Sequence, residues 1–380
     1  MYRIGKEEID AVTRVVNSRR LFKTSGTETA DCENLMRAMF GVKYSILMTS
    51  GKAALISALT ALGVGPGDEV IVPGYTYIAT AIAVAAVGAI PVIAEADETL
   101  TLDAADVKRK IGKHTKAVIP VHIQGFPCNM DALSALGIPI VEDACQADGG
   151  SYKGRRLGTI GAAGALSFNE YKIISAGEGG AFLTNDRRLF ERAFIFHDSS
   201  AIAFFGNQLD GINEQQFCGN EYRTNNIAAA ILHEQLKKLD GILADLRKNK
   251  KIIQNALVSD FKFAPSHDAD GDCGTTLAFR FNNEKAARRF AAIAGGWLPI
   301  DTGKHVYTNW TPVMNKTGAL HPAMDPFKMP ANKNLNHNYS LDMCPKTLDY
   351  LARTVYIGID PDWTAAQIEE KISAFKKAKQ

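Results

Sequence analysis

The 380-residue chain lacks the short signatures by which most cofactor and hydrolase sites announce themselves. No Gly-x-Gly-x-x-Gly follows its first strand-like run, and no Gly-x-x-x-x-Gly-Lys-Ser/Thr occurs anywhere, so dinucleotide binding and P-loop nucleotide hydrolysis lose their support. His233-Glu234 has no second histidine in place to make a zincin helix, and Gly-x-Ser-x-Gly is missing. The six cysteines (Cys32, Cys128, Cys145, Cys218, Cys273, Cys344) include no Cys-x-x-Cys pair. That favours free thiols in a reducing compartment over a disulfide framework, and gives no metal site. A net charge of +2 offers no reason to expect nucleic acid or an anionic membrane as partner. The longest weakly polar stretch, Ala79 to Ala94, holds Thr80, Gly88 and Pro91 and falls short of the roughly 20 residues a membrane span needs. The N-terminal run Met1 to Glu8 is too charged for a signal peptide, so the expectation is a cytoplasmic protein.

What is present is an ordinary globular composition, 46% hydrophobic and 22% charged, long enough for one large core and a second domain. Ile4, Ile9, Val12 and Val16 fall at helical spacing and predict an amphipathic first helix. From Tyr44 strand-like and helix-like segments alternate: strands at 44–48, 69–73, 91–94, 116–121 and 139–143, with helices at 53–62, 78–87, 103–111 and 130–136 between them. This alternation predicts a mostly parallel α/β sheet covered on both faces. Two runs close together, Ala165–Phe168 and Ala181–Thr184, add an antiparallel part. A long helix from Ile227 to Leu257 follows, then a smaller α+β region with strands at 276–281 and 354–359 and an irregular stretch at 299–345. The expected division is a large domain over 1–240 and a small C-terminal domain over 241–380.

Three places carry candidate chemistry besides the stretch Ser167 to Gly180. There Lys172 sits between two core strands, and a Gly177-Glu178-Gly179-Gly180 turn follows it. A desolvated lysine loses its preference for the charged form, which is what a Schiff-base-forming amine requires. A solvated turn lysine has the same local sequence. Thr49-Ser50-Gly51-Lys52 starts a helix whose free N–H groups suit a phosphate, though Ser-Gly is also a plain N-cap. Glu142-Asp143 ends a buried strand, where open α/β sheets put ligands and where Asp143 is placed to pair with a pyridine nitrogen or merely to cap a turn. Tyr75 and Tyr77 follow another strand end and offer rings to stack on a planar ligand or to pack in the core.

Phosphate cradle, aromatic plate, aspartate and lysine together fit pyridoxal 5′-phosphate. In their order and spacing, Ser50-Gly51-x-Ala53-Ala54-Leu55, Gly65-Pro66-Gly67-Asp68-Glu69-Val70-Ile71-Val72-Pro73, Pro120-Val121-His122, Glu142-Asp143-Ala144-x-Gln146 and Ser167-Phe168 with Lys172 and Gly177-Glu178-Gly179-Gly180 closely resemble the DegT/DnrJ/EryC1/StrS sugar aminotransferases. The resemblance runs from about Phe40 to Lys250. It implies the aspartate aminotransferase-like fold type I: an α/β large domain with a mostly parallel seven-stranded sheet, and a smaller C-terminal α+β domain. It also implies a homodimer with sites at the interface. Lys172 would hold the cofactor covalently and carry its protons, Asp143 would meet the ring nitrogen, and Gln146 would lie beside the phenolic oxygen. Tyr77 would stack on the ring, while Gly51, the Lys52 amide and Ser167 would hold the phosphate. The implied reaction moves an amino group from glutamate or glutamine to a keto or aldehyde sugar. A dehydration or elimination of the amino-hydroxybenzoate-synthase kind, or a non-catalytic relative, stands as the alternative.

Three positions depart from the family pattern. Lys52 stands where the family has Thr. Glu221, in Gly219-Asn220-Glu221-Tyr222-Arg223, replaces the Asn that reaches the partner subunit's cofactor phosphate, so compensation of Lys52 by Glu221 across the dimer is expected. The family's His-Gly is blurred at His197-Asp198-Ser199-Ser200. Asp97 to Asp103 and Asn249 to Ile253 look most like the branch that aminates C8 of an oxidised 3-deoxy-octulosonate.

Overall fold

The computed structural model describes residues 2–199 and 211–379. Short β-branched and apolar runs form the strands β1 (Tyr44–Met48), β2 (Glu69–Pro73), β3 (Ile90–Ala94), β4 (Thr115–Val118) and β5 (Val141–Asp143). After a hairpin of β6 (Ser151–Tyr152) and β7 (Arg155–Arg156) come β8 (Ala163–Ser167) and β9 (Gly180–Thr184). Single bridges Val118–Ile140 and Val121–Asp143 join two smaller sheets into one of seven strands, ordered β3-β2-β4-β5-β8-β9-β1. Only β9 runs against its neighbours. The expected mostly parallel sheet with an antiparallel part is therefore what forms.

Helix α1 (Lys6–Ser18) packs elsewhere, while helices α2 (Glu28–Phe40), α3 (Gly51–Ala61), α4 (Ala79–Ala86), α5 (Ala104–Lys110), α6 (Met130–Ser134) and α7 (Arg187–His197) surround this sheet. Helix α3 is buried on nearly every side, because it packs on β8 and β9 and is covered by α4 and α7. A helix apolar all round has no solvent face to offer. Gly180 exists for this packing: a Cβ there would come within 2.2 Å of the Ser50 carbonyl carbon.

The 32-residue helix α8 (Asn226–Leu257) leads out of the sheet, and residue 240 falls inside it. Beyond it, β10 (Lys262–Phe263), β11 (Thr276–Arg280) and β12 (Thr354–Gly358) form an antiparallel sheet. Helices α9 (Glu284–Ala294) and α12 (Ala365–Ala378) close a phenylalanine cluster of Phe261, Phe279, Phe290 and Phe375 over it. The stretch 299–345 is a chain of single turns around α10 (Thr311–Met314), and α11 (Pro345–Ala352) follows. Among the described residues no helix is long and apolar enough to cross a membrane.

The first helix forms but turns the other way. Ile4, Ile9 and Val16 are 54%, 63% and 52% exposed, while Glu8, Ala11 and Val15 are buried against α8. Glu8 takes an interior place because Lys238 Nζ reaches it at 2.7 Å and Gln235 Nε2 donates to it at 2.7 Å. A buried charge with such partners competes successfully with an isoleucine for the contact face. Helix α2, unanticipated from its sequence, carries Cys32, Met36 and Phe40 into the core.

Candidate active site

The parallel strands β1, β2, β5 and β8 end along one edge of the sheet, and a cavity of about 640 Å3 opens there. It is lined by Gly51, Lys52, Tyr77, Asp143, Gln146, Ser167 and Lys172, all of them singled out from the sequence. Strand pleating separates the two adjacent carboxylates of β5, since neighbouring side chains leave on opposite faces. Asp143 enters the cavity; Glu142 points away and accepts from the Gly158, Ile160 and Gly161 amides and from His122 Nε2 at 3.1 Å.

Asp143 is 5% exposed and held by two donors. The Thr80 hydroxyl reaches Oδ2 at 2.7 Å and the Cys145 amide reaches Oδ1 at 3.2 Å. Thr80 has one proton and spends it on Asp143, so the Thr76 hydroxyl, 2.8 Å away, donates to Thr80. Lys172 lies half-buried in the loop between β8 and β9, where its amide donates to the Asn169 carbonyl at 3.0 Å. Its ammonium has no carboxylate within ion-pair distance among the described residues.

At another wall Ser50 caps α3 by accepting from the Ala53 amide at 3.1 Å. The amides of Gly51 and Lys52 have no intrahelical partner, and the helix end carries partial positive charge. Ser167, at the end of β8, stands beside them. Gln146 accepts from the Gln124 amide at 3.1 Å. Gln124 adopts a positive φ of 52°, a strained state for a residue with a Cβ. Thr275 and Thr276 hold its carbonyl and its side-chain oxygen at 2.6 and 3.1 Å.

Tyr77 is 42% exposed at the mouth, its ring 5.4 Å from that of His305. Burial pushes the His305 pKa below the ordinary histidine value, and the Lys172 charge acts in the same direction. Thr76, Thr80, Gln124, Thr275 and His305 were not legible as site residues. The i, i+4 spacing of Thr76 and Thr80 just after a strand was the one available signal for that pair; His305 lies in an irregular stretch with none.

Glu221 is outside this cavity. It pairs with Arg223, which also binds Asp198, and it accepts from the Ser199 hydroxyl at 3.2 Å. Of the segment 197–200, Ser200 lies outside the described residues.

The cavity suits pyridoxal 5′-phosphate on the chemistry of its donors: a helix end for an anion, a fixed carboxylate, and a lysine without an acid partner. A sheet of this order with such a pocket at its carboxyl edge belongs to the fold type I class of pyridoxal 5′-phosphate enzymes. The DegT/DnrJ/EryC1/StrS aminotransferase family model matches residues 2–289. The spore coat polysaccharide biosynthesis protein SpsC of Bacillus subtilis is 36% identical over 271 residues, 69% of this chain and 68% of its own. The aminotransferase of Psychrobacter cryohalolentis superposes with a TM-score of 0.81 at 25% identity, over 99% of this chain and 98% of that one. DesV of S. venezuelae gives 0.79 at 27% identity, over 98% and 94%. The chain belongs to the DegT/DnrJ/EryC1/StrS family and is a pyridoxal 5′-phosphate-dependent aminotransferase.

Proposed function

We propose that this enzyme moves an amino group from glutamate or glutamine to a keto or aldehyde sugar. The observation that carries the reading is the gathering of Asp143, Lys172 and the α3 N-terminus around one cavity. When bound, pyridoxal 5′-phosphate supplies an electrophilic aldehyde and a ring that accepts electron density. Lys172 Nζ would be the covalent anchor and the group that takes and returns the substrate proton. Asp143, oriented by Thr80 and the Cys145 amide, would pair with the cofactor's ring nitrogen. The Gly51 and Lys52 amides and the Ser167 hydroxyl would hold the phosphate, Tyr77 would cover the ring and Gln146 would lie beside the phenolic oxygen.

The protein acts as a homodimer in this reading. Glu221 is assigned to meet Lys52 of a second copy. In the charge-swapped double variant Lys52→Glu with Glu221→Lys, cofactor affinity lost in either single variant should return. A lack of recovery removes that pairing.

The direct test follows the cofactor's visible band. Glutamate or glutamine alone should convert it to the amine form, and a panel of keto-sugars, with and without a linked nucleotide, should restore it. Release of ammonia or water from the sugar without that interconversion would replace transamination by elimination.

A further inference from the structure

A second cavity, of about 390 Å3, lies between the C-terminal half of α8 and the segment 263–274. It shares no lining residue with the catalytic cavity. One wall is cationic: Arg247, Lys248, Lys250 and Lys251, with the amide of Gln254 one turn further on. The rest of the lining sets Phe126, Phe263 and Pro265 beside Ser266 and the carboxylates Asp270 and Asp272, so four cations face two acids.

The charges on this wall are unequally answered. Lys250, only 9% exposed, is bound to Asp272 Oδ2 at 2.6 Å and lies 4.9 Å from the centre of the Phe126 ring. Asp272 is thereby used, and its other oxygen accepts from the Gly274 amide at 2.7 Å. Arg247 donates to the carbonyls of Asp272 and Gly271 at 2.7 and 3.3 Å, contacts that orient its guanidinium without neutralising it. Lys248 and Lys251, both exposed, stand three residues apart on one helix face, with no carboxylate within 4.0 Å among the described residues. Like charges so spaced repel along a helix. In a concave wall they focus positive potential on the space between them.

We infer that this cavity binds an organic phosphate of about the size of a nucleoside diphosphate. Lys248 and Lys251 supply point charges to its phosphates, and Arg247 adds a planar fork fixed in advance by the two carbonyls. Phe263 and Pro265 receive its ring. The volume lies at the lower end of small-molecule sites, which suits such a ligand.

The test is calorimetric titration of the cofactor-loaded enzyme with UDP, pyrophosphate and inorganic phosphate at low and high salt. Saturable binding is expected for UDP, weaker for pyrophosphate, and falling as salt rises. Lys248→Glu with Lys251→Glu should weaken UDP binding about tenfold or more, the scale of one lost charge-assisted hydrogen bond. The milder Lys248→Gln with Lys251→Gln should weaken it in the same direction. Phe263→Ala should weaken UDP but not pyrophosphate. Absence of saturable binding, wild-type affinity in the lysine variants, or equal affinity for UDP and pyrophosphate would overturn the inference.

Discussion

Thr80 donates its hydroxyl to Asp143 Oδ2 at 2.7 Å, from the first turn of a helix that follows a different strand. The carboxylate is thus aimed by a neighbour that is itself held by the Thr76 hydroxyl at 2.8 Å and, through its amide, by the Tyr77 carbonyl at 3.1 Å. Thr80→Val should leave one buried oxygen of Asp143 unpaired, at a cost of about 1–3 kcal/mol. The glutamate half-reaction should slow about ten- to a hundredfold while KM moves little. Thr80→Ser keeps the hydroxyl and should restore the rate. Stopped-flow absorbance reads both, and an unimpaired Thr80→Val enzyme removes Thr80 from the site.

Lys172 makes a sharper prediction because two assigned tasks rest on one nitrogen. Borohydride reduction should fix the cofactor's mass on the peptide that contains Lys172. Lys172→Ala should lose that label, and proton transfer alone accounts for a rate loss of about 10²–10⁴-fold. A label on any other lysine would reassign the site.

Glu142 sits next to Asp143 yet concerns stability. It is wholly buried, with three amides and His122 Nε2 donating to it. The Cys128 amide donates to His122 Nδ1 at 3.1 Å, which places the ring proton on Nε2, facing Glu142. Glu142→Ala strands all four donors and should cost about 3–5 kcal/mol. Urea unfolding would report it as a lower midpoint with the slope unchanged.

His197 sets an acid limit on stability. It is fully buried, its Nδ1 donates to the Phe194 carbonyl at 2.6 Å, and the Lys23 ammonium donates to Nε2 at 2.7 Å. Burial, with the Lys23 and Arg223 charges acting the same way, holds its pKa well below 6.5. The unfolded chain therefore binds a proton that the folded chain refuses, and stability falls as pH drops below about 6.5. The acids of that cluster answer its cations instead: Glu33 lies 3.7 Å from Lys23, and Asp198 and Glu221 pair with Arg223. His197→Gln should flatten the melting temperature between pH 7 and about pH 5; an equally steep profile in the variant would assign the acid loss elsewhere.

Much of this architecture could be read before any coordinates, because a mostly parallel sheet writes itself as apolar runs of strand length between helices. The positions at strand ends, Gly51, Tyr77, Asp143, Ser167 and Lys172, were legible for the same reason: the sheet's edge is where its ligand goes. Periodicity failed at α1, where Ile9 and Val16 face out and an ion-paired Glu8 faces in. Pattern scores hydrophobicity and is blind to a partner such as Lys238 that arrives from a distant helix. His305 failed for a related reason. Nothing local marks a histidine in a chain of single turns, and its place beside Tyr77 comes from how the stretch 299–345 folds back over the sheet.

Gly51 tests the phosphate end of the cavity by shape alone. A Cβ added there would lie 2.5 Å from Cys145 Sγ and 2.9 Å from Ser167 Cβ, both closer than atoms tolerate. Gly51→Ala must therefore push α3 away from β8 or displace the Cys145 thiol, and either movement shifts the two open amides that start the helix. Cofactor affinity should fall by about tenfold or more, since a charge-assisted contact to phosphate is lost or lengthened. Cys145→Ala in the same chain removes the nearer obstacle and should return part of that affinity, measured as cofactor release in equilibrium dialysis. The thiol is the movable neighbour and β8 the fixed one. Full recovery would show that the thiol was the whole obstacle, and no recovery that the strand is.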